Sequence, residues 1–210
     1  MSTPTPDTKM RADALLPVTS MGEFAPLLER GAEGLIWGRE LPSYVAVEMQ
    51  SWNMAGAVPE RFLSDAGGIR RHVDAILESW SGLSHNSREW LATDIAELGM
   101  AMARLLSTDT LMVRVEPVRD DACRRFHKDV VKARLICTYK GPGTEYGFAD
   151  QDHDQPLTAG SVPTGAPIIL RGKRWPNNAE TELLHRSPVI EARGESRFLV
   201  VINEAPTSAS

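Results

Sequence analysis

The chain has 210 residues, 42% of them hydrophobic and 24% charged, with a formal net charge of -5. This composition supplies enough apolar material for one sizeable core, and an acidic balance without a basic stripe argues against nucleic acid as a partner. No apolar run reaches the roughly 20 residues that span a bilayer, and the N-terminus lacks a secretory signal pattern. The sequence therefore predicts a cytoplasmic protein without a membrane segment, in which Cys123 and Cys137 stay reduced.

The first half of the chain has a helical pattern. Residues 1–18 are rich in Thr, Pro and Asp and predict a flexible tail, whereas residues 19–206 predict a single domain whose first part, 19–108, is mainly helical. Asn86 is the predicted N-cap of the clearest helix, and a shorter helix is expected from Tyr44 to Asn53 after Pro42. Two apolar stripes at helical spacing carry the prediction: Leu91, Ile95, Leu98, Met102 and Leu105, and before them Ile69, Val73, Ile76 and Trp80.

The pattern changes at Thr110. Short segments rich in Val, Ile, Leu and Tyr follow, separated by turns that contain Gly and Pro. The predicted strands are 111–118, 133–139, 167–171 and 197–203. Because no helical pattern intervenes, residues 109–206 predict antiparallel sheets closed into a sandwich or roll, within an α+β fold that the helices cover.

One short segment combines two metal-binding residue types. In an extended chain alternate side chains share a face, so His127 and Asp129 point the same way while Lys128 points oppositely. An imidazole nitrogen and a carboxylate oxygen then lie side by side. A second histidine would complete the set of two histidines and one carboxylate that leaves positions open on Fe(II).

Four other histidines could supply that third ligand. His72 lies outside the apolar stripe of its helix, and His85 lies in a turn, so both are interpreted as surface residues. His153 lies in an acidic loop with Asp150, Asp152 and Asp154, where a solvated position is expected. His185 instead ends the apolar pair LL, where a strand would run beside the first one. We therefore expect His185 to be the third ligand.

Arg197 opens the strongly apolar segment RFLVVIN, twelve residues after His185. An unpaired buried charge is unfavourable, and a carboxylate is the geometrically matched partner of a guanidinium. That carboxylate could belong to the protein or to the far end of a dicarboxylate bound at the metal.

The order of these motifs resembles that of the iron and 2-oxoglutarate dependent dioxygenases, especially the prolyl hydroxylase-like branch. The resemblance lies in H-x-D, a strand ending in Tyr139, the turn and strand VPTGAPIIL, the distal His185 and then Arg197. It implies a double-stranded β-helix (jelly-roll) core in which His127, Asp129 and His185 hold Fe(II). It further implies that 2-oxoglutarate chelates the metal and that Arg197 binds its distal carboxylate. From their proximity in the sequence, Tyr139 or Arg134 is expected to assist at the cosubstrate or at the substrate.

Their proximity to His185 in the sequence gives the expectation that Arg186 and Ser187 face the substrate. A second resemblance spans most of the chain. The sequence segments CRRFHKD, TYKGPGTE, WP and HRSP are similar to those of a bacterial family of unknown function. That family supplies no established activity. The substrate and the oligomeric state are left open.

Two alternatives remain at this stage. The first is a non-catalytic zinc protein for storage, sensing or delivery, in which Cys123 joins the three ligands in a closed tetrahedral shell. On one straight strand Cys123 and His127 would lie about 13 Å apart, but a bend at Arg124 and Arg125 would bring them together. The second is a cupin-like isomerase or hydrolase that uses the metal without 2-oxoglutarate.

A small basic cluster follows the strand 167–171. It is interpreted as a solvated face that could steer an anionic substrate, and it consists of Arg171, Lys173 and Arg174.

Overall fold

The structure is a computed structural model that describes residues 14–121, 123–149, 155–176 and 181–206. Its helices are α1 (Phe24–Glu29), α2 (Ser43–Ser51), α3 (Ile69–Ser79) and α4 (His85–Leu106), with short 3-10 turns at Met21–Glu23 and Glu191–Arg193. Its strands are β1 (Leu15–Val18), β2 (Gly34–Trp37), β3 (Glu60–Ser64), β4 (Leu111–Val118), β5 (Ala133–Lys140), β6 (Glu145–Phe148), β7 (Gly160–Ser161), β8 (Pro167–Arg171), β9 (Leu183–Arg186) and β10 (Arg197–Glu204). No helix in these ranges is long and apolar enough to cross a membrane.

A seven-stranded sheet in the order β1-β2-β8-β5-β10-β4-β3 forms the centre of the protein. β1 and β2 are parallel, and the other neighbouring strands are antiparallel. β10 lies between β4 and β5, and all its residues from Arg197 to Asn203 are buried. Its nearly continuous apolar sequence fits a strand that is covered on both faces.

The helices cover one face of this sheet. Alternate residues of β5 reach the helix-side core, which also contains the buried residues of α2, α3 and α4. Most of the predicted α4 stripe is confirmed: Leu91, Ile95, Leu98 and Met102 are fully buried, and Leu105 is partly buried against the same core. The β5 residues on this face are Ala133, Leu135, Cys137 and Tyr139.

The start of α4 differs from the prediction. Ser84, not Asn86, is the N-cap: it has extended backbone angles, and its hydroxyl accepts a hydrogen bond from the Ser87 amide. Asn86 lies inside the first turn, where its own backbone is already helical. The predicted N-cap was wrong by two residues because both residue types cap helices well.

A three-stranded sheet in the order β7-β6-β9 lies over the opposite, inner face of the large sheet. An apolar layer joins the two sheets and combines Ile136, Ile168, Leu170, Leu199 and Val201 of the large sheet with Val162, Ala166 and Leu183. Tyr146 and Phe148 of β6 pack against this layer from the other side. The inner face of the large sheet is therefore a second core, separate from the one under the helices.

The predicted α+β class is confirmed, with two differences in detail. The mainly helical part also contributes β2 and β3 to the sheet, and Leu15–Val18, expected within the tail, pairs with β2 along Gly34–Trp37. These strands have only four or five residues each, so their alternation of apolar and polar residues is too short to predict a strand. Across the described ranges the two sheets do not join into a closed barrel. The assignment of residues 19–206 to one domain stays a prediction.

Candidate metal centre

His127 and His185 are held opposite each other by their backbones. The His127 amide donates to the His185 carbonyl at 3.0 Å, and the His185 amide donates to the His127 carbonyl at 3.1 Å. Such a mutually bonded antiparallel pair places both side chains on the same side. The two imidazole rings accordingly lie 4.5 Å apart, centroid to centroid.

Asp129 completes a compact group of ligand atoms. His185 Nε2 lies 3.1 Å from Asp129 Oδ2, and His127 Nε2 lies 3.6 Å from Asp129 Oδ1. One ligand atom from each of the three residues falls within 4.8 Å of the other two. Two ligands bound at about 2.1 Å and at right angles are about 3 Å apart, so this group fits one first-row metal ion.

The hydrogen bonds of the group leave metal-binding atoms unused. His127 Nδ1 lies 2.9 Å from the Arg125 carbonyl oxygen, which can only accept, so Nδ1 carries the proton and Nε2 keeps its lone pair. Asp129 Oδ2 is buried and accepts no hydrogen bond of normal geometry, although His185 Nε2 is close. A buried carboxylate oxygen without a partner is unfavourable unless a ligand completes it.

The pKa values of the three groups diverge. Burial alone would raise the pKa of Asp129, but the two histidines and Arg134 outweigh it and hold that pKa well below its usual range. The neighbouring Asp129 carboxylate raises the pKa of His127, whereas burial lowers the pKa of His185. An ionised carboxylate beside a buried neutral imidazole is the protonation state that a metal ion requires.

A close backbone approach fixes the segment that carries Asp129. The loop after β8 runs against this segment, with Gly172 N donating to Lys132 O at 2.8 Å and Lys173 N donating to Asp129 O at 2.9 Å. A Cβ atom at Gly172 would lie only 2.1 Å from the Val131 carbonyl oxygen. The chain therefore needs glycine there to bring the two segments together.

Arg134 contacts the candidate ligand Asp129 directly. Its Nη1 donates to Asp129 Oδ1 at 2.5 Å, while its Nε is buried without a partner. Burial lowers the pKa of Arg134 in spite of the nearby Asp129. The structure thus brings Arg134 to the cluster as a group that orients the carboxylate.

Arg197 lies in the same inner core, and only 2% of its surface is exposed. Its Nε donates to the Pro142 carbonyl at 2.7 Å and its Nη2 donates to Thr138 Oγ1 at 3.2 Å, with longer contacts to Ser187 Oγ at 3.4 Å and Thr144 Oγ1 at 3.5 Å. Burial lowers its pKa to about 10. Among the described residues, no carboxylate lies within ion-pair distance of this guanidinium.

Tyr139 has a different setting from the one that the sequence suggests. Its side chain lies on the helix side of β5, where its hydroxyl donates to Asp94 Oδ2 at 2.7 Å and its ring contacts Trp90 and Phe198. Residues 134 and 139 are five positions apart, so they point to opposite faces of one strand. A cavity of about 750 Å³ that Tyr139 lines contains none of the three ligands. The structure does not bring Tyr139 to the metal centre.

Comparison with known proteins identifies the family. The family described as "Protein of unknown function (DUF1826)" matches residues 19–203. The chain belongs to this family. The predicted membership of a family of unknown function is thereby confirmed, and no curated protein matches the chain.

This DUF1826 protein is also similar to several solved structures. One is the dioxygenase for auxin oxidation of rice, at 14% identity and a TM-score of 0.47, over 92% of this chain and 83% of the other. Another is dioxygenase for auxin oxidation 1 of Arabidopsis thaliana in a binary complex with 2-oxoglutarate, at 12% identity and a TM-score of 0.46, over 93% and 94%. A third is a candidate oxygenase of Shewanella oneidensis, at 13% identity and a TM-score of 0.47, over 91% and 89%.

The remaining histidines and Cys123 do not join the group. His72 stacks on Phe62 at 4.8 Å, and His85 is exposed at the start of α4. His153 and the acidic run Asp150, Asp152 and Asp154 lie outside the described residues. The thiol of Cys123 is exposed, and within the described ranges the ligand group contains no cysteine.

Arg186 and Ser187, the two residues expected at the substrate, contact different parts of the protein. Arg186 donates to Glu145 at 2.6 Å and stacks over Phe126 at 4.4 Å, whereas Ser187 contacts the Arg197 guanidinium. Sequence reasoning did not single out Thr138 and Thr144 as partners of Arg197. The signal was available for Thr138, because it lies four residues after Arg134 and so on the same face of β5.

Tyr146 was also missed. It is the cross-strand partner of His185 in the small sheet, and its ring packs closely over Gly160. Directly opposite residues of an antiparallel pair share a face, so Tyr146 borders the metal centre. The sequence carries no local signal for this, because the position of Tyr146 beside His185 follows only from the pairing of β6 with β9.

Proposed function

We propose that this protein is an Fe(II)- and 2-oxoglutarate-dependent dioxygenase of the hydroxylase type, built on a double-stranded β-helix formed by its two facing sheets. The observation that carries the proposal is the setting of Arg197. A buried guanidinium with only neutral acceptors lies on the same inner face as a group of two histidines and one aspartate.

The Arg197 guanidinium retains capacity for a carboxylate. A buried charge is stabilised chiefly by an opposite charge, and neutral hydroxyl and carbonyl groups replace only part of its hydration. Thr138, Thr144 and Ser187 surround it with hydroxyl groups that can donate to an anion as readily as they accept from arginine. A planar carboxylate that enters among them would complete both kinds of bond.

Each residue of the centre then has a defined task. His127, Asp129 and His185 hold the iron, and Arg134 keeps the Asp129 carboxylate in position. Arg197 and its hydroxyl neighbours hold the distal carboxylate of 2-oxoglutarate. Apolar side chains between the two sheets pack beside the centre and limit the access of water to it. When bound, Fe(II) and 2-oxoglutarate supply the oxidative chemistry, and the protein supplies orientation.

The zinc alternative accounts for less of the structure. A closed zinc shell needs a fourth ligand, and the described residues add no thiol to the three ligands. A non-catalytic zinc protein also gives no use to the Arg197 guanidinium. The cupin-like alternative shares the metal set but likewise leaves Arg197 without a carboxylate partner. A cytoplasmic location, where the exposed Cys123 thiol would stay reduced, remains a prediction.

The proposal is tested by anaerobic titration of the purified protein with Fe(II) and then 2-oxoglutarate. We expect a visible charge-transfer band that forms with one equivalent of each. The band should vanish in His127→Ala and persist in His85→Ala, which removes an exposed histidine far from the group. A wild-type protein that gives no band and binds one equivalent of zinc tightly would contradict the dioxygenase proposal.

A further inference from the structure

A second cavity, of about 180 Å³, lies on the inner face of the large sheet and is rich in arginine. Its arginines come from four different elements: Arg61 of β3, Arg114 of β4, Arg134 of β5 and Arg174 of the loop after β8. Glu204 is the acidic residue that lines it. We propose that this cavity binds a phosphoryl group of the substrate. The inference rests on the proposed function, because it assigns the substrate side of the same centre.

The sheet register places these side chains together. Arg61 and Arg114 are direct cross-strand partners, and Arg134 is the partner of Asn203, which also lines the cavity. Neighbouring residues 113 and 115 of β4, and 133 and 135 of β5, lie in the helix-side core. Arg114 and Arg134 therefore point to the inner face.

Arg134 connects this cavity to the metal centre. It donates to the ligand Asp129, and it lines the cavity together with Val130 and Val131, the two residues that follow Asp129. Thr138, a partner of Arg197, lies on the same face of β5 about 13 Å further along the strand. The arginine cavity and Arg197 thus lie toward opposite ends of one inner face, and the cavity is joined to the ligand group through Arg134.

The charges of the cavity are not balanced within the described chain. Arg114 pairs with Glu116 at 3.3 Å and Arg134 pairs with Asp129, but no ion pair is formed by Arg61 or Arg174 in the described ranges. Like charges directly opposite on neighbouring strands, such as Arg61 and Arg114, destabilise a sheet. Nε of Arg114 and Nε of Arg134 are also buried without hydrogen-bond partners. A bound anion would satisfy all of these groups.

The arrangement fits a phosphoryl group better than a carboxylate. A planar carboxylate is matched by one guanidinium in a bidentate contact. Guanidinium groups that approach from four elements suit a tetrahedral group whose oxygens point in different directions. The volume is below the roughly 300 Å³ of a pocket for a whole small molecule, so it holds a head group while the rest of the substrate extends outside it.

Calorimetric titration of the full chain with inorganic phosphate tests this inference, with ionic strength held constant by NaCl. We expect binding to the wild type and at least about tenfold weaker binding to the double variant Arg61→Gln/Arg174→Gln, since both side chains are exposed and neither contacts a metal ligand. Arg104→Gln, which removes an exposed arginine of α4 on the helix side, should bind like the wild type.

The outcomes separate this inference from the proposed function. Equal phosphate affinity in the wild type and the double variant would overturn it, and so would acetate binding as tightly as phosphate. The charge-transfer band with 2-oxoglutarate should be unchanged in the double variant, because Arg197 is intact. Phosphate binding in the expected pattern without any band in the wild type would leave an anion site but overturn its role as a substrate site.

Discussion

Buried polar groups lie on both sides of β5, and the two sets differ in how completely their hydrogen bonds and charges are paired within the protein. On the helix side, Arg39 donates to both oxygens of Asp94, and the Tyr139 hydroxyl donates to the same carboxylate. On the inner side, Asp129 Oδ2 and Arg134 Nε lack hydrogen-bond partners, and the Arg197 guanidinium has only neutral ones. The first set is complete within the chain, whereas the second has unused binding capacity.

Under the proposed function, this difference separates structural groups from ligand-binding groups. Burial alone would lower the pKa of Arg39, but the hydrogen bonds and charge of Asp94 outweigh it and raise that pKa. Burial and the same carboxylate raise the pKa of Tyr139 well above its usual value. Arg39 and Tyr139 therefore keep their protons, and their hydrogen bonds to Asp94 tie α4 to the sheet. Buried polar atoms are rarely left without partners in native proteins, and the unpartnered atoms beside Asp129 therefore support the proposal that ligands bind at the inner face.

The largest expected effect is on the helix side. Asp94→Asn should lower the free energy of unfolding by about 3 kcal/mol, because it leaves the Arg39 guanidinium buried without an opposite charge. Denaturant unfolding monitored by circular dichroism measures the change. The folded variant should still give the 2-oxoglutarate band. Loss of the band in folded Asp94→Asn would contradict the separation of the two faces.

A smaller loss of stability but a specific loss of binding is expected on the inner side. Arg197→Lys should weaken 2-oxoglutarate binding by about 100-fold, since a lysine keeps the charge but cannot form a bidentate contact. Affinity for Fe(II) alone should not change, because Arg197 contacts none of the three ligands. The matched control is Arg193→Lys at an exposed site. Loss of both iron and 2-oxoglutarate affinity would show that Arg197 supports the fold instead.

Much of the metal centre follows from local sequence pattern, but its surroundings do not. Alternation along an extended segment predicts that His127 and Asp129 point the same way, and the context of His185 selects it among the other histidines. The direct backbone pairing of His127 with His185 is non-local and could not be derived. Side chains alternate between the two faces of a strand, so the odd spacing of Arg134 and Tyr139 along β5 already places them on opposite faces. The sequence therefore contained the information that only one of them could reach the inner face.

The arginine cavity shows the limit of sequence reasoning more clearly. The sequence groups Arg171 with Lys173 and Arg174, yet Arg171 is buried and donates to the carbonyl oxygens of Gly31 and Ala32. Only Arg174 of that cluster lines the cavity. Arg61 and Arg114 join it because β3 pairs with β4 across an interval that contains two helices. Pairing at such separation depends on the whole fold and leaves no local pattern.

The smallest expected effect concerns the two cysteines, one of which is buried and the other exposed. Cys137 is buried on the helix side, and burial raises the pKa of its thiol to about 12, so its thiol stays protonated at pH 8. Cys123 is exposed. A thiol reagent should therefore modify one cysteine per native chain at pH 8 and two after unfolding.

Cys123→Ser should remove the rapid reaction and leave metal affinity within about twofold of the wild type, because the ligand group does not include this thiol. Calorimetric titration with Fe(II) and with Zn(II) measures both affinities. A more than tenfold loss of zinc affinity would mean that the segment before His127 bends to bring sulfur to the metal. Zinc would then have a fourth ligand, and the exposed thiol would belong with the incomplete groups of the inner face.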